Sequence, residues 1–303
     1  MKNKIYSGID SIPNGIASDK ITPGCLVLEG GAFRTIYEEG VLDVLMENGI
    51  NLSCVIGVSA GALNGVNYVS GNIGKSARAN LRYRNDPRYI GLDAIKTDKS
   101  IVGFSFMFNE LNNSEPLNYE RLLSGNQRLI AVATSLKSSK EEYFELGEYT
   151  GFIDVLRASA SLPYVSKPVE INGTPYLDGG CACSIPYQWA IDNGYEKIVV
   201  VRTQDKKHRK KFPEKANNIL LHTYRSYPEF SLALSRYHEK YNSQCNELDR
   251  LEKEKRIFVI APSKPISTVG MKSDTESLGE LYYLGYNDAL KLLDKLKSYL
   301  NCN

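Results

Sequence analysis

Five short runs of apolar, largely β-branched residues recur along the chain with helical patterns between them: CLVLEG (25–30), SCVIGV (53–58), RLIAVATS (128–135), KIVVVRT (197–203) and RIFVIAP (256–262). A strand with one wet face alternates apolar and polar residues, whereas a continuously apolar strand has no face to offer water. Short strands of that kind, separated by helices, predict a parallel sheet covered on both sides. The fold class is therefore α/β. Between the first two runs, TIYEEGVLDVLMENG places Tyr37, Val41, Val44 and Leu45 on one helical face and stops at Gly49, which closes a compact βαβ unit.

Two further patterns organise the rest. VEINGTPYLDGG (169–180) carries Asn-Gly between two apolar runs, a strong hairpin signal, and its outgoing strand delivers Asp178 at its end. Residues 229–254 and 276–300 each read as one long helix. With no repeat, low-complexity tract or Pro/Ser-rich linker, residues 1–303 are expected to form a single domain.

Composition removes several function classes. A formal net charge of +2 argues against a dedicated nucleic-acid binder. The six cysteines lack C-x-x-C spacing and the three histidines, His208, His222 and His238, have no second ligand type at metal spacing, so reduced thiols and no metal or other cofactor are expected. The apolar stretches are shorter than the ~20 residues a membrane-spanning helix needs, and the N-terminus has no apolar signal core. A cytoplasmic protein is the expectation.

Chemistry is suggested by GVSAG (57–61). The motif G-x-S-x-G is weak alone, but here it lies where a buried strand turns into a helix. Such a turn strains the serine and exposes it at the strand's carboxyl end, and Gly57 and Gly61 remove Cβ atoms that would collide there. EGGAFR (29–34) follows the neighbouring strand and should face the same crevice, where its amides could meet a developing oxyanion. The histidines follow Asp178 in the order of a Ser-Asp-His hydrolase, yet none sits at a glycine-rich strand end. Asp178, followed by Gly179 and Gly180, does.

Taken in order, LVLEGGAFR, GVSAGALNG, ASASLPYVSKPVEINGTPYLDGG and SIPYQWAI resemble the oxyanion loop, nucleophile elbow, proline-containing segment and Asp-Gly-Gly turn of bacterial patatin-like phospholipases. SRYHEKYN and FVIAPSKP resemble one bacterial branch of that family, so the similarity spans nearly the whole chain. The resemblance implies a three-layer α/β/α sandwich with a mainly parallel central sheet, and metal-free hydrolysis of acyl esters of lipids through a covalent acyl-enzyme. It implies Ser59 as nucleophile, Asp178 as the only side-chain base, amides around Gly30, Gly31 and Ala32 as the oxyanion hole, and Arg34 as the residue holding that loop. The implied partners are a lipid ester and, transiently, a membrane surface.

Two positions depart from the family's usual glycines, Ala32 and Thr35. If position 35 required positive φ, a β-branched residue would shift the loop, and Thr35→Gly would leave activity unchanged or raise it. An acyltransferase or thioesterase, and a lipid-binding protein with a decayed site, stay open as alternatives. Elsewhere, SIVGFSFMFNEL (100–111) reads as core packing with an apolar flap as the alternative, and KKHRKK (206–211) reads as a solvated loop with attraction to anionic headgroups as the alternative.

Overall fold

A computed structural model describes residues 5–211, 223–266 and 274–302. Its main elements, in chain order, are β1 (Ile21–Leu28), α1 (Thr35–Glu47), β2 (Asn51–Val58), α2 (Ala60–Val69), β3 (Arg128–Ser135), β4 (Glu141–Glu145), α3 (Phe152–Ser159), β5 (Val169–Ile171), β6 (Thr174–Asp178), α4 (Tyr187–Asp192), β7 (Ile198–Val201), α5 (Pro228–Ser235), α6 (Tyr237–Lys253), β8 (Phe258–Ile260) and α7 (Thr275–Leu300). The five apolar runs become β1, β2, β3, β7 and β8. They lie side by side and parallel in the order β8, β7, β1, β2, β3.

Two hydrophobic cores, one on each face of the sheet, explain why these runs are continuously apolar. Leu26, Leu28, Val55, Leu129, Val199 and Val201 point to one face, against residues of α1, α2 and α7. Val27, Ile56, Val58, Ile130, Ile198 and Val200 point to the other, against residues of α4 and α6 such as Tyr187, Tyr241 and Leu248. Helices on both faces give the expected three-layer α/β/α sandwich, with a mainly parallel sheet.

The hairpin forms with Asn172 and Gly173 both at positive φ (49° and 72°), as a two-residue turn of right-handed twist demands. It contributes the antiparallel strands β5 and β6. A further antiparallel strand, β4, pairs with β3 and has no counterpart among the predicted runs. The span 229–254 is not one helix: Arg236 (φ −102°, ψ 8°) leaves helical geometry, which separates α5 from α6. The C-terminal helix runs unbroken from an N-cap at Asp274, whose carboxylate accepts the Ser277 amide at 2.9 Å. It packs along α1 so closely that a Cβ at Gly40 or Gly285 would strike the other helix's backbone. Among the described residues, no helix is long and apolar enough to cross a membrane.

Candidate active site

β2 ends at Val58 and α2 begins at Ala60, so Ser59 makes the turn alone, at φ 57° and ψ −130°. That backbone is sparsely populated for a residue with a side chain and costs of order 1–3 kcal/mol. Its neighbours make the turn feasible. A Cβ at Gly57 would lie 2.6 Å from the Ala62 nitrogen, and one at Gly61 would lie 2.9 Å from the Leu28 carbonyl oxygen. The buried Ser59 amide donates to Ser159 Oγ (2.9 Å), and that hydroxyl donates to the Val132 carbonyl (2.6 Å). Ser159, at the end of α3, thus anchors the turn to β3.

Sheet register brings Asp178 to the serine. β3 pairs with β2 up to Val132 opposite Val58, and its next residue, Ala133, faces Asp178 of β6. Since β4 occupies the opposite edge of β3 over Ile130–Thr134, β2 and β6 share one edge and abut end to end from opposite directions. Ser59 Oγ donates to Asp178 Oδ2 across that junction at 2.6 Å. Asp178 Oδ1 accepts the Gly180 amide at 2.7 Å, while Thr134 Oγ1 donates to the Asp178 carbonyl at 2.9 Å. Asp178 is 4% exposed. Burial pushes its carboxyl up to about 6, opposed by the Ser59 hydroxyl, the Gly180 amide and the Lys210 charge, all of which favour the ionised form.

The loop after β1 packs directly on the serine. A Cβ at Gly30 would lie 2.8 Å from the Val58 carbonyl oxygen and 2.9 Å from Ser59 Cβ, so only glycine lets this backbone approach. Gly30 and Gly31 lie outside any helix or strand, and their amides donate to no carbonyl among the described residues. Beneath them Glu29 is buried. It accepts the Thr203 amide (2.8 Å) and the Tyr241 hydroxyl (2.9 Å), and Arg202 Nε lies 3.9 Å away. Thr203 Oγ1 also donates to the Gly30 carbonyl at 3.2 Å. The loop is therefore held from below by the two residues that follow β7 and by α6.

Arg34 touches this loop through its backbone amide, which donates to the Gly31 carbonyl at 3.0 Å, while its side-chain Nε finds no partner among the described residues and the side chain lines the cavity. Thr35 does not sit at positive φ. Its backbone is ordinary right-handed helix (φ −68°, ψ −7°), and its hydroxyl donates to the Ala32 carbonyl at 2.7 Å. The left-handed residue is Ala32, at φ 48°.

Ser59, Ala32 and Leu162 lie between two cavities. The smaller, about 140 Å³, has walls that include Leu63, Val66, Ile90, Met107, Phe108 and Leu117. The segment 100–111 thus divides its residues: Phe104 and Phe106 are buried in packing, while Val102, Met107, Phe108 and Leu111 line this cavity. The larger, about 500 Å³, is lined by Gly30, Gly31, Arg34, Asp178, Ser184, Lys210 and Tyr237 among others. Lys210 belongs to the run expected to be a solvated loop. Instead its ammonium lies over the rings of Tyr241 (3.9 Å) and Tyr237 (4.7 Å), and an exchange of bonds with Asn242 fixes its backbone. Burial and the Arg34 charge lower Lys210 from the ordinary lysine value, with Glu29 opposing.

Neither His208 nor His238 lines either cavity, and His222 lies outside the described residues. Among the described residues no group of three or more His, Cys, Asp or Glu is placed to hold a metal ion.

Residues 26–191, which carry Gly30 through Asp178, match the family model of the patatin-like phospholipases, and residues 227–301 match a domain of unknown function (DUF6363). The uncharacterized protein YjjU of Escherichia coli (strain K12) is 26% identical over 266 residues, covering 86% of this chain and 74% of that protein. The probable lipid hydrolase 463L of invertebrate iridescent virus 6 is 26% identical over 206 residues, covering 61% of this chain and 66% of its own length. The crystal structure of VipD from Legionella pneumophila aligns over 92% of this chain and 68% of its own, with 12% identity and a TM-score of 0.48. With its family model matched over more than half of the residues, the chain belongs to the patatin-like phospholipase family.

Proposed function

We propose that the protein hydrolyses acyl esters of lipids through a covalent acyl-enzyme, with Ser59 as nucleophile and Asp178 as base. The observation that carries this reading is the 2.6 Å hydrogen bond from Ser59 Oγ to Asp178 Oδ2, made at a strained turn on the wall of two cavities. As Ser59 Oγ attacks the ester carbonyl, its proton passes to Asp178, and the carbonyl oxygen becomes an oxyanion facing the Gly30 and Gly31 amides. Each such donor contributes about 3–4 kcal/mol when aimed at the developing charge. Collapse expels the alcohol, which takes the proton from Asp178, and leaves an acyl-Ser59 ester. A water then gives its proton to Asp178 and attacks the acyl group, and as the acyl–oxygen bond breaks Asp178 returns that proton to Ser59 Oγ and the acid is freed.

A carboxylate is a weak base in water, where aspartate titrates near 3.9. Burial raises its basicity, and the short hydrogen bond places it without a histidine intermediary. Both cavities have largely apolar walls; Lys210 and Arg34 on the larger suit it to the polar alcohol half, which leaves the smaller for an acyl chain. Exposed Tyr164 and Val165 on the lining of the larger cavity support transient contact with a lipid surface at its mouth. The reading takes the chain as one hydrolase unit, since α7 packs on the helix that follows the glycine loop and α6 holds Glu29.

A fluorophosphonate probe tests the proposal. Wild-type protein should be labelled and should release p-nitrophenol from acyl esters, and Ser59→Ala should do neither while keeping its circular dichroism spectrum. Comparable turnover by Ser59→Ala would refute the assignment. An unlabelled wild type would favour the decayed site.

A further inference from the structure

The larger cavity has an electrostatic character that the hydrolytic reading does not need. Two cationic side chains, Lys210 and Arg34, line it, against one carboxylate, Asp178, which is committed to Ser59 and Gly180. The other nearby acid, Glu29, lies under the loop with Thr203, Tyr241 and Arg202. Among the described residues no carboxylate pairs with Lys210 Nζ or with the Arg34 guanidinium, and Arg34 Nε is buried without a partner there. The cavity wall thus carries an excess of positive charge beside the serine.

Tyrosine rings sharpen the point. A zwitterionic headgroup would place a quaternary ammonium in this cavity, and aromatic faces are the usual way to hold one. Tyr237 lines the cavity and Tyr241 stands behind it, but both rings are already under the Lys210 ammonium, at 4.7 Å and 3.9 Å. A second cation there would meet like charge. An anion would meet Lys210 held in place by those rings and by the Asn242 clamp on its backbone, with the guanidinium of Arg34 on the same wall.

We propose that Lys210 and Arg34 make the larger cavity a receptor for an anionic alcohol half, so that the protein selects acyl esters whose leaving group carries net negative charge, such as a phosphate monoester, over zwitterionic and neutral ones. Lys210 is the specificity-determining residue of the pair, since Arg34 also belongs to the loop that carries Gly30 and Gly31. The inference rests on the hydrolase reading above.

The test compares three substrates of one acyl chain, 1-hexanoyl-glycerol 3-phosphate, 1-hexanoyl-glycerophosphocholine and 1-hexanoyl-glycerol, each below its micellar concentration so that no lipid surface contributes. Wild-type kcat/KM should be at least tenfold higher for the phosphate ester than for either other substrate. Lys210→Met should lower that ratio at least tenfold, chiefly through KM, and Lys210→Arg should restore most of it. Turnover of all three by wild type at similar kcat/KM would overturn the charge selection and leave the hydrolase reading standing. A ratio that survives in folded Lys210→Met would remove Lys210 from the role. Turnover of none, with no fluorophosphonate labelling, would overturn both readings. Because the first comparison uses only wild-type protein, it decides the matter even if a variant fails to fold.

Discussion

Replacing Asp178 by asparagine should inactivate the protein and stabilise it at the same time. In the native state the carboxyl is raised from 3.8 to about 6, mainly by burial. A group whose folded value lies above its unfolded one contributes stability below the unfolded value and loses it as pH rises through the folded value. At pH 8 the ionised Asp178 therefore weighs against folding. At about 1.36 kcal/mol per pH unit, the penalty is about 3 kcal/mol. Asparagine matches the shape and has no charge to desolvate. Its carbonyl can still accept the Gly180 amide, and its NH₂ group can donate to Ser59 Oγ, with the hydroxyl turned to act as acceptor. The serine would then have no base.

For a chain of 303 residues, about 3 kcal/mol corresponds to a rise in Tm on the order of 5 °C. The assay is thermal unfolding of wild type and Asp178→Asn at pH 8 and pH 4, beside ester turnover at pH 8. The expected result is a higher Tm for the variant at pH 8, a gap that closes at pH 4 where the wild-type carboxyl is protonated, and turnover reduced at least a thousandfold. A folded variant with an equal or lower Tm at pH 8 would refute the argument that burial sets the carboxyl's value. Undiminished turnover would refute its role as base. For the same reason, wild-type kcat/KM should fall as pH drops through about 6.

Gly57→Ala puts a Cβ 2.6 Å from the backbone of α2 and should cost about 3 kcal/mol in chemical denaturation together with most of the turnover, by displacing Ser59. Thr35→Gly should lower activity several-fold, the reverse of the expectation from the family's usual glycine, because it removes the bond to Ala32 and frees an ordinary helical backbone; kcat on a p-nitrophenyl ester decides it. Ala32→Gly relieves φ 48° and should keep both the barrier to turnover and the unfolding free energy, read from kcat/KM and chemical denaturation, within about 1 kcal/mol of wild type. Turnover should survive EDTA, and its loss with restoration by a divalent ion would expose a metal site.

The parts of this molecule that are legible in its sequence are those decided locally. Burial on both faces forces β1, β2, β3, β7 and β8 to be apolar throughout, and Asn172-Gly173 supplies the φ that a tight hairpin needs. Gly57 and Gly61 mark the elbow around Ser59 because a Cβ at either would strike backbone. What stayed hidden depends on which distant segment arrives. β4 carries EEYFE because only one of its edges is paired, so no apolar run betrays it. Ser159 looks like any helix-terminal serine until α3 brings it under the Ser59 amide. Lys210 reads as one charge among many in DKKHRKK, and only the arrival of Tyr237 and Tyr241 on another element sets it apart. Thr35 illustrates the converse: a motif shows which residue is unusual, but the path of the loop put the left-handed turn at Ala32.

The strand arrangement also accounts for the direct contact between Ser59 and Asp178. In a wholly parallel sheet every strand presents its carboxyl end to the same crevice, and two such ends on neighbouring strands stand about 4.8 Å apart at the backbone. A third group is then a natural bridge between serine and acid. Here β6 runs against β2 along the same edge of β3, and their ends meet head-on, with Val58 opposite Val132 and Asp178 opposite Ala133. The two side chains reach each other directly, at 2.6 Å, and no space for an imidazole remains between them. On the proposed reading, proximity stands in for a histidine, and burial raises the carboxylate's basicity. The reversal of strand direction at the Asn172-Gly173 turn is thus what brings Asp178 against Ser59.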